Sequence, residues 1–156
     1  MIKEIHIYDM DGTIVCSMHR FKTLPNGKID LNYWIENCTP EKIAQDSLLP
    51  LAEQYQAQLS DPEIYVVIAT ARVIEAADLA YIKNVLGMPN RIVSRNGRGD
   101  TRKGADMKIA GLRFLNNLKQ FKGAAKHFYE DNKDYLYPVA TALNATPYFI
   151  PSKQGV

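Results

Sequence analysis

Residues 2–13 read Ile-Lys-Glu-Ile-His-Ile-Tyr-Asp-Met-Asp-Gly-Thr. From Ile2 to Tyr8 this is a short run rich in β-branched and aromatic residues, and it gives way at Asp9 to Asp11-Gly12, a turn pair. A strand running into a loop is predicted, with two carboxylates at its carboxyl end. Carboxylates two residues apart on a turn can face one small volume, one as nucleophile and the other as proton donor. Their repulsion calls for a cation. Mg²⁺ suits hard oxygen ligands, typically one or two carboxylates with waters and a substrate phosphate. By itself, however, Asp-x-Asp-Gly is more often a surface turn, because Asp and Gly suit turns for backbone reasons.

Further strands are predicted at Ile64–Ala69, ending at Thr70, at Ile92–Val93, ending at Ser94, at His127–Tyr129, ending at Glu130-Asp131, and at Tyr148–Ile150, closed by Pro151. The second of these is almost continuously apolar, as suits a central strand covered on both faces. Helices fall between them. Thr39-Pro40-Glu41 opens one that Pro50 must interrupt or kink. Val73–Leu86 is Ala-rich, with Gly87 just past its end. Asp106–Leu118 places Ile109, Leu112 and Leu115 on one stripe, and Asn132–Leu143 has to accommodate Pro138. The alternation predicts an α/β fold: a three-layer, Rossmann-like, mostly parallel sheet with helices on both faces, binding ligands at the strands' carboxyl ends. Asp9, Asp11, Thr70, Glu130 and Asp131 all fall there.

The 156 residues suffice for one domain with a sizeable core. A hydrophobic share of 46% and a charged share of 23% exclude a disordered or fibrous chain, and a net charge of +2 gives no general pull towards nucleic acid or membrane. Cys16 and Cys38 have no Cys or His cluster around them, so structural zinc is disfavoured and free thiols in a reducing cytoplasm are expected. Charges interrupt the amino-terminal apolar run, and nothing approaches a membrane span. A cytoplasmic location is expected, that of the host if the source is viral.

The segment Ile5–Ile14 resembles the first motif of the haloacid-dehalogenase-like phosphatase superfamily, an apolar strand followed by Asp-x-Asp-Gly-Thr. Ile68-Ala69-Thr70, Lys108 and Phe128-Tyr129-Glu130-Asp131 resemble its remaining motifs, in the family's order. The resemblance implies that Asp9 attacks phosphorus to form an aspartyl-phosphate, and that Asp11 protonates the leaving oxygen and then activates water. It implies that Asp9, the Asp11 carbonyl and Asp131 hold Mg²⁺, while Thr70 and Lys108 bind the phosphoryl oxygens. Glu130, where Asp is commoner, is given a supporting role. Lys103 competes with Lys108, which is favoured for its place inside the periodic helix. Asp134 either supports the metal shell or is a first-turn acid. Arg72 either reaches the phosphate or is a solvated first-turn residue.

Residues 17–60 leave room for only a small cap or covering loop, with His19-Arg20, Asp30 and Trp34 as its polar and aromatic features. Tyr33 and Trp34 are core residues on base rates, with stacking on a base as the alternative. The cations Arg91, Arg95, Arg98, Arg102 and Lys103 either form a solvated loop or hold a polyanionic substrate. His6, His19 and His127 lack ligand spacing and are expected to be packed or edge histidines. A narrower similarity, to small phosphatase domains of nucleic-acid repair and bacteriophages, points to a nucleotide or a nucleic-acid 3′-phosphate end as substrate. A small metabolite or sugar phosphate is the alternative, and a non-catalytic binding module on the same fold is the second.

Overall fold

A computed structural model describes residues 1–152. Seven strands are formed: β1 (Glu4–Tyr8), β2 (Val15–Cys16), β3 (Ser47–Leu48), β4 (Ile64–Val73), β5 (Arg91–Arg95), β6 (Ala125–Glu130) and β7 (Thr146–Phe149). The helices are α1 (Leu31–Glu36), α2 (Pro40–Ile43), α3 (Ala52–Gln58), α4 (Ala76–Tyr81), α5 (Gly104–Leu112), α6 (Phe114–Asn117) and α7 (Lys133–Leu143). Five strands make one sheet in the order β5-β4-β1-β6-β7, every pair parallel. Short β2 and β3 pair separately and antiparallel.

The period-two alternation of the inner strands divides the core. Ile5, Ile7, Val67, Ala69 and Phe128 face one way, against Met107, Leu112, Leu136, Val139 and Leu143 of α5 and α7. Tyr8, Val66 and Ile68 face the other, against Ile43, Ala52, Tyr55, Tyr81 and Ile82. Helices thus cover both faces, as a parallel sheet requires. From β1 the chain moves outward through β4 and β5, then returns to lay β6 and β7 on the opposite side. The switch of direction falls beside β1, so the crevice between the carboxyl ends of β1 and β6 is where this topology places a ligand.

Local structure departs from the sequence expectation in several places: the helix opened by Thr39-Pro40 ends at Ile43, well before Pro50, and the last strand is Thr146–Phe149 rather than Tyr148–Ile150. β4 does not stop at Thr70 but runs to Val73 through a register shift, so Arg72 lies in a buried extension of the strand. The helix predicted from Val73 starts at Ala76 and passes into a π-helical turn, Ile82–Leu86, which ends at Gly87 with φ of 104°. The predicted Asp106–Leu118 helix divides into α5 and α6. Pro138 sits inside α7 with its ring exposed, and Asn144 closes that helix in the left-handed conformation. Among the described residues no helix is long and apolar enough to cross a membrane.

Candidate active site

Asp9 follows β1 directly, and its N–H donates to the carbonyl of Tyr129 on β6, which ties the two strand ends together (2.9 Å). Its side chain is buried, with both oxygens engaged: Oδ1 accepts from Lys108 Nζ (2.9 Å) and Oδ2 from Thr13 Oγ1 (2.9 Å). Residues 10–15 fold back on themselves, the N–H groups of Thr13, Ile14 and Val15 all donating to the Met10 carbonyl. Gly12, with φ of 80°, lies so close to Asp131 that an added Cβ would overlap its carboxylate. Glycine is required there twice over, by conformation and by space.

Lys108 reaches up from α5 and is fully buried; its ammonium also donates to Glu130 Oε1 (2.6 Å). Burial alone would lower its pKa, but Asp9 and Glu130 outweigh this and raise it, so the charge persists. Glu130 Oε2 accepts from the N–H groups of Asp131 and Asn132. Asp131 is buried, and its Oδ2 has no hydrogen-bond partner among the described residues. The carboxyls of Glu130 and Asp131 are both pushed above the usual range, by burial first and by the charge of Asp9 next.

A second network adjoins the first. Arg72 grips Asp11 through Nε to Oδ2 (2.7 Å) and Nη2 to Oδ1 (2.6 Å), and also donates to Asp78 (2.9 Å) and Asp46 (2.9 Å). Arg20, fully buried, makes its own two bonds to Asp46, and Ser17 donates to Asp11. Burial opposes ionisation of Asp11, but Arg72, Ser17 and Arg20 outweigh it and hold its pKa below the ordinary value.

These groups open on a cleft of about 190 Å³ lined by Asp9, Asp11, Thr70, Arg72, Glu130 and Asp131 at its base. Phe21, Ile29, Leu31 and Trp34 form an apolar wall. Thr70 is buried, its hydroxyl accepting from the Arg72 N–H (3.1 Å). The two readings of Arg72 both meet a third arrangement: it lines the cleft, yet its side chain is spent on carboxylates. Lys103 is exposed at the start of α5, away from the cleft lining. Asp134 is exposed in the first turn of α7, the place a helix dipole favours. Of the basic run only Arg95 reaches the cleft; Arg98 pairs with Glu75, Arg102 with Asp100, and Arg91 lies over Phe114. Trp34 has the Arg20 guanidinium 4.3 Å from its ring centroid.

Sequence reasoning passed over Thr13, Ser17, Arg20, Asp46 and Asp78 as site residues. Asp46 stands 26 residues from both Arg20 and Arg72, a separation that no local spacing announces, while Thr13, Ser17 and Asp78 lie within six residues of their partners but bear on the site only through the fold. The one available signal was a lone charge among apolar neighbours, such as Asp78 between Ala77 and Leu79.

Asp9, Glu130 and Asp131 bring carboxylate oxygens within 4.8 Å of one another. Three buried carboxylates against one ammonium, with one oxygen unpartnered, fit a hard divalent cation taking oxygen ligands.

A parallel sheet with paired carboxylates after its first strand defines the class: a haloacid-dehalogenase-like α/β fold. The structure is similar over 99% of its length to a predicted phosphatase from Clostridium acetobutylicum (TM-score 0.67, 12% identity, 89% of that chain). It is similar over 97% to a haloacid dehalogenase-like hydrolase from Streptococcus pneumoniae (TM-score 0.59, 12% identity, 89% of that chain). Residues 1–99 match the family model described as bacteriophage T5 5′-deoxynucleotidase, and the chain belongs to that family. With the 5′-deoxynucleotidase of Escherichia phage T5 it is 34% identical over 103 residues, which make up 64% of this chain and 39% of the phage protein.

Proposed function

We propose that this chain is a Mg²⁺-dependent phosphomonoesterase acting through an aspartyl-phosphate on Asp9, and that its substrate is a deoxynucleoside 5′-monophosphate. The observation that carries the reading is the cation-deficient cluster of Asp9, Glu130 and Asp131 at the base of a cleft, in a chain of the 5′-deoxynucleotidase family. Asp9, the Asp11 carbonyl and Asp131 would hold Mg²⁺, which when bound neutralises phosphate oxygens and lowers the barrier to attack by an anion. Lys108 fixes the Asp9 carboxylate through Oδ1 and Thr13 fixes it through Oδ2, so the nucleophile is pre-oriented before substrate arrives.

Phosphoryl transfer then proceeds in two halves. Asp9 bonds to phosphorus as the ester P–O bond breaks, and the departing 5′-oxygen takes a proton from Asp11, which must first come away from Arg72 and take up a proton from solvent, since in the substrate-free chain Arg72 holds it ionised. Asp11 next takes a proton from water, whose oxygen attacks phosphorus and frees Asp9 with release of phosphate. Arg72 holds the Asp11 carboxylate at two points and, by keeping it ionised, suits it to take the proton from water in the second half. Thr70 and Lys108 supply donors to the phosphoryl oxygens. The segment 17–60 acts as the cap, and Phe21, Leu31 and Trp34 on its cleft side offer an apolar surface to the base.

The deciding experiment is phosphate release by wild type and Asp9→Asn, with and without Mg²⁺. The panel holds deoxynucleoside and ribonucleoside 5′-monophosphates, 3′-phosphorylated oligonucleotides and sugar phosphates. Metal-dependent release from deoxynucleoside 5′-monophosphates, lost in the variant, is expected. Preference for a 3′-phosphorylated end would move the substrate to nucleic acid, and silence in a folded sample that binds Mg²⁺ would favour the binding module.

A further inference from the structure

We propose that Glu4, His6 and His127 form a second metal site, distinct from the Asp9 cleft, for a borderline transition ion of the Zn²⁺ type. All three lie on one face of the sheet, where parallel register sets His6 directly beside His127. Their rings stack with centroids 4.4 Å apart. The Nε2 atoms lie 3.0 Å and 3.4 Å from the same oxygen, Glu4 Oε1, and the three ligand atoms fall within 4.8 Å of one another. Ligands about 2 Å from a tetrahedral ion stand roughly 3.3 Å apart, so two of the three separations already have the required size.

The outer contacts fit the same reading. His6 Nδ1 lies 2.9 Å from the Tyr129 hydroxyl and His127 Nδ1 lies 2.9 Å from the Tyr148 hydroxyl. A ligating imidazole characteristically donates its other N–H to such a partner, which fixes the tautomer with Nε2 free to coordinate. Without an ion, Glu4 can serve only one ring well: His6 has its hydrogen bond, while His127 Nε2 is buried with no hydrogen-bond partner among the described residues. An ion placed between the three would satisfy both rings and the carboxylate together. Stacked rings aim their lone pairs nearly parallel, so capture requires the two imidazoles to tilt towards each other, and the half-exposed Glu4 leaves room for entry and for water ligands. Two imidazoles and one carboxylate suit Zn²⁺, Ni²⁺ or Cu²⁺ rather than Mg²⁺. The ion would clamp β1 to β6 at their amino-terminal halves, away from the catalytic carboxylates at the opposite ends.

The test titrates Zn²⁺ into the metal-free full chain held in millimolar Mg²⁺, followed by calorimetry and thermal unfolding. One equivalent should bind and raise the unfolding temperature by several degrees, since an ion that binds only the folded state stabilises it. His127→Gln and Glu4→Gln should each weaken binding at least about tenfold and leave phosphate release unchanged. Asp131→Asn should leave the Zn²⁺ titration as in wild type. Equal Zn²⁺ affinity in wild type and His127→Gln would overturn the site, as would the absence of heat and of any thermal shift in wild type. If the variants fail to fold, the wild-type histidine ring resonances decide. Those of His6 and His127 must move with Zn²⁺ while those of His19 stay in place, and unmoved His6 and His127 signals would refute the proposal.

Discussion

Two groups of three carboxylates meet at the carboxyl end of the sheet, and they are balanced differently. Asp9, Glu130 and Asp131 share one cation, Lys108; Asp11, Asp46 and Asp78 share two, Arg72 and Arg20. Burial raises the cost of charge in both. In the first group it prevails, and Glu130 and Asp131 are pushed towards protonation. In the second the guanidinium groups outweigh it, and Asp11 is held ionised. Folding has neutralised one cluster from within and left the other short of positive charge. That deficit marks where a cation and a phosphate are expected to meet, while the Arg72 network is architecture that orients its neighbour.

Four substitutions can break or sharpen this contrast. The largest effect is expected from Asp9→Asn, with turnover falling by about 10⁴-fold or more, as when other nucleophilic constellations lose a member. Its far-ultraviolet circular dichroism should match wild type. Arg72→Met comes next. It leaves Asp11, Asp46 and Asp78 with Arg20 alone and should cost about 3–5 kcal/mol of stability, read from the denaturation midpoint in urea. Asp11→Asn removes one carboxylate from a paired set and should destabilise by about 2 kcal/mol, less than a fully buried pair because this side chain retains some exposure. Asp131→Asn is the smallest and the most telling, because its sign reverses. Removing a buried carboxyl that folding pushes towards protonation, and whose Oδ2 has no hydrogen-bond partner among the described residues, should stabilise the metal-free chain by up to about 1 kcal/mol while abolishing activity. A destabilised Asp131→Asn protein, measured without metal, would sink the idea that this cluster is short of positive charge.

The wall of the cleft follows different physics. Phe21, Ile29, Leu31 and Trp34 come from the segment between Asp11 and Thr70, where apolar periodicity is short and secondary structure sparse. Beside the core contacts of Ile43, Ala52 and Tyr55 it has an ionic anchor: Arg20 and Asp46, both buried, bind one another, and Asp46 also binds Arg72. That segment is thereby tied to Arg72 and through it to Asp11. Arg72→Lys tests that tie as well, since a single ammonium cannot reproduce a two-point grip on Asp11 together with bonds to Asp46 and Asp78.

What the sequence determined by itself was whatever depends on neighbours along the chain. The strand ending in Asp9-Met10-Asp11-Gly12 was legible because β-branched residues and a turn pair act within a few positions. The buried strand at Ile64–Ala69, the cap at Thr39 and the alternation that makes the sheet parallel were legible for the same reason. Lys108 could be preferred to Lys103 from helical periodicity, and only Lys108 enters the site. The tertiary structure alone decided which charges meet. Arg72 stands 61 residues from Asp11, Arg20 stands 26 from Asp46 and Lys108 stands 99 from Asp9. It also set His6 beside His127 across two strands, a pairing 121 positions apart by their numbers that no ligand spacing could disclose. Hydrophobic pattern and backbone propensity are local and fix the elements, whereas electrostatic pairing falls off with distance in space and has no regard for distance along the chain.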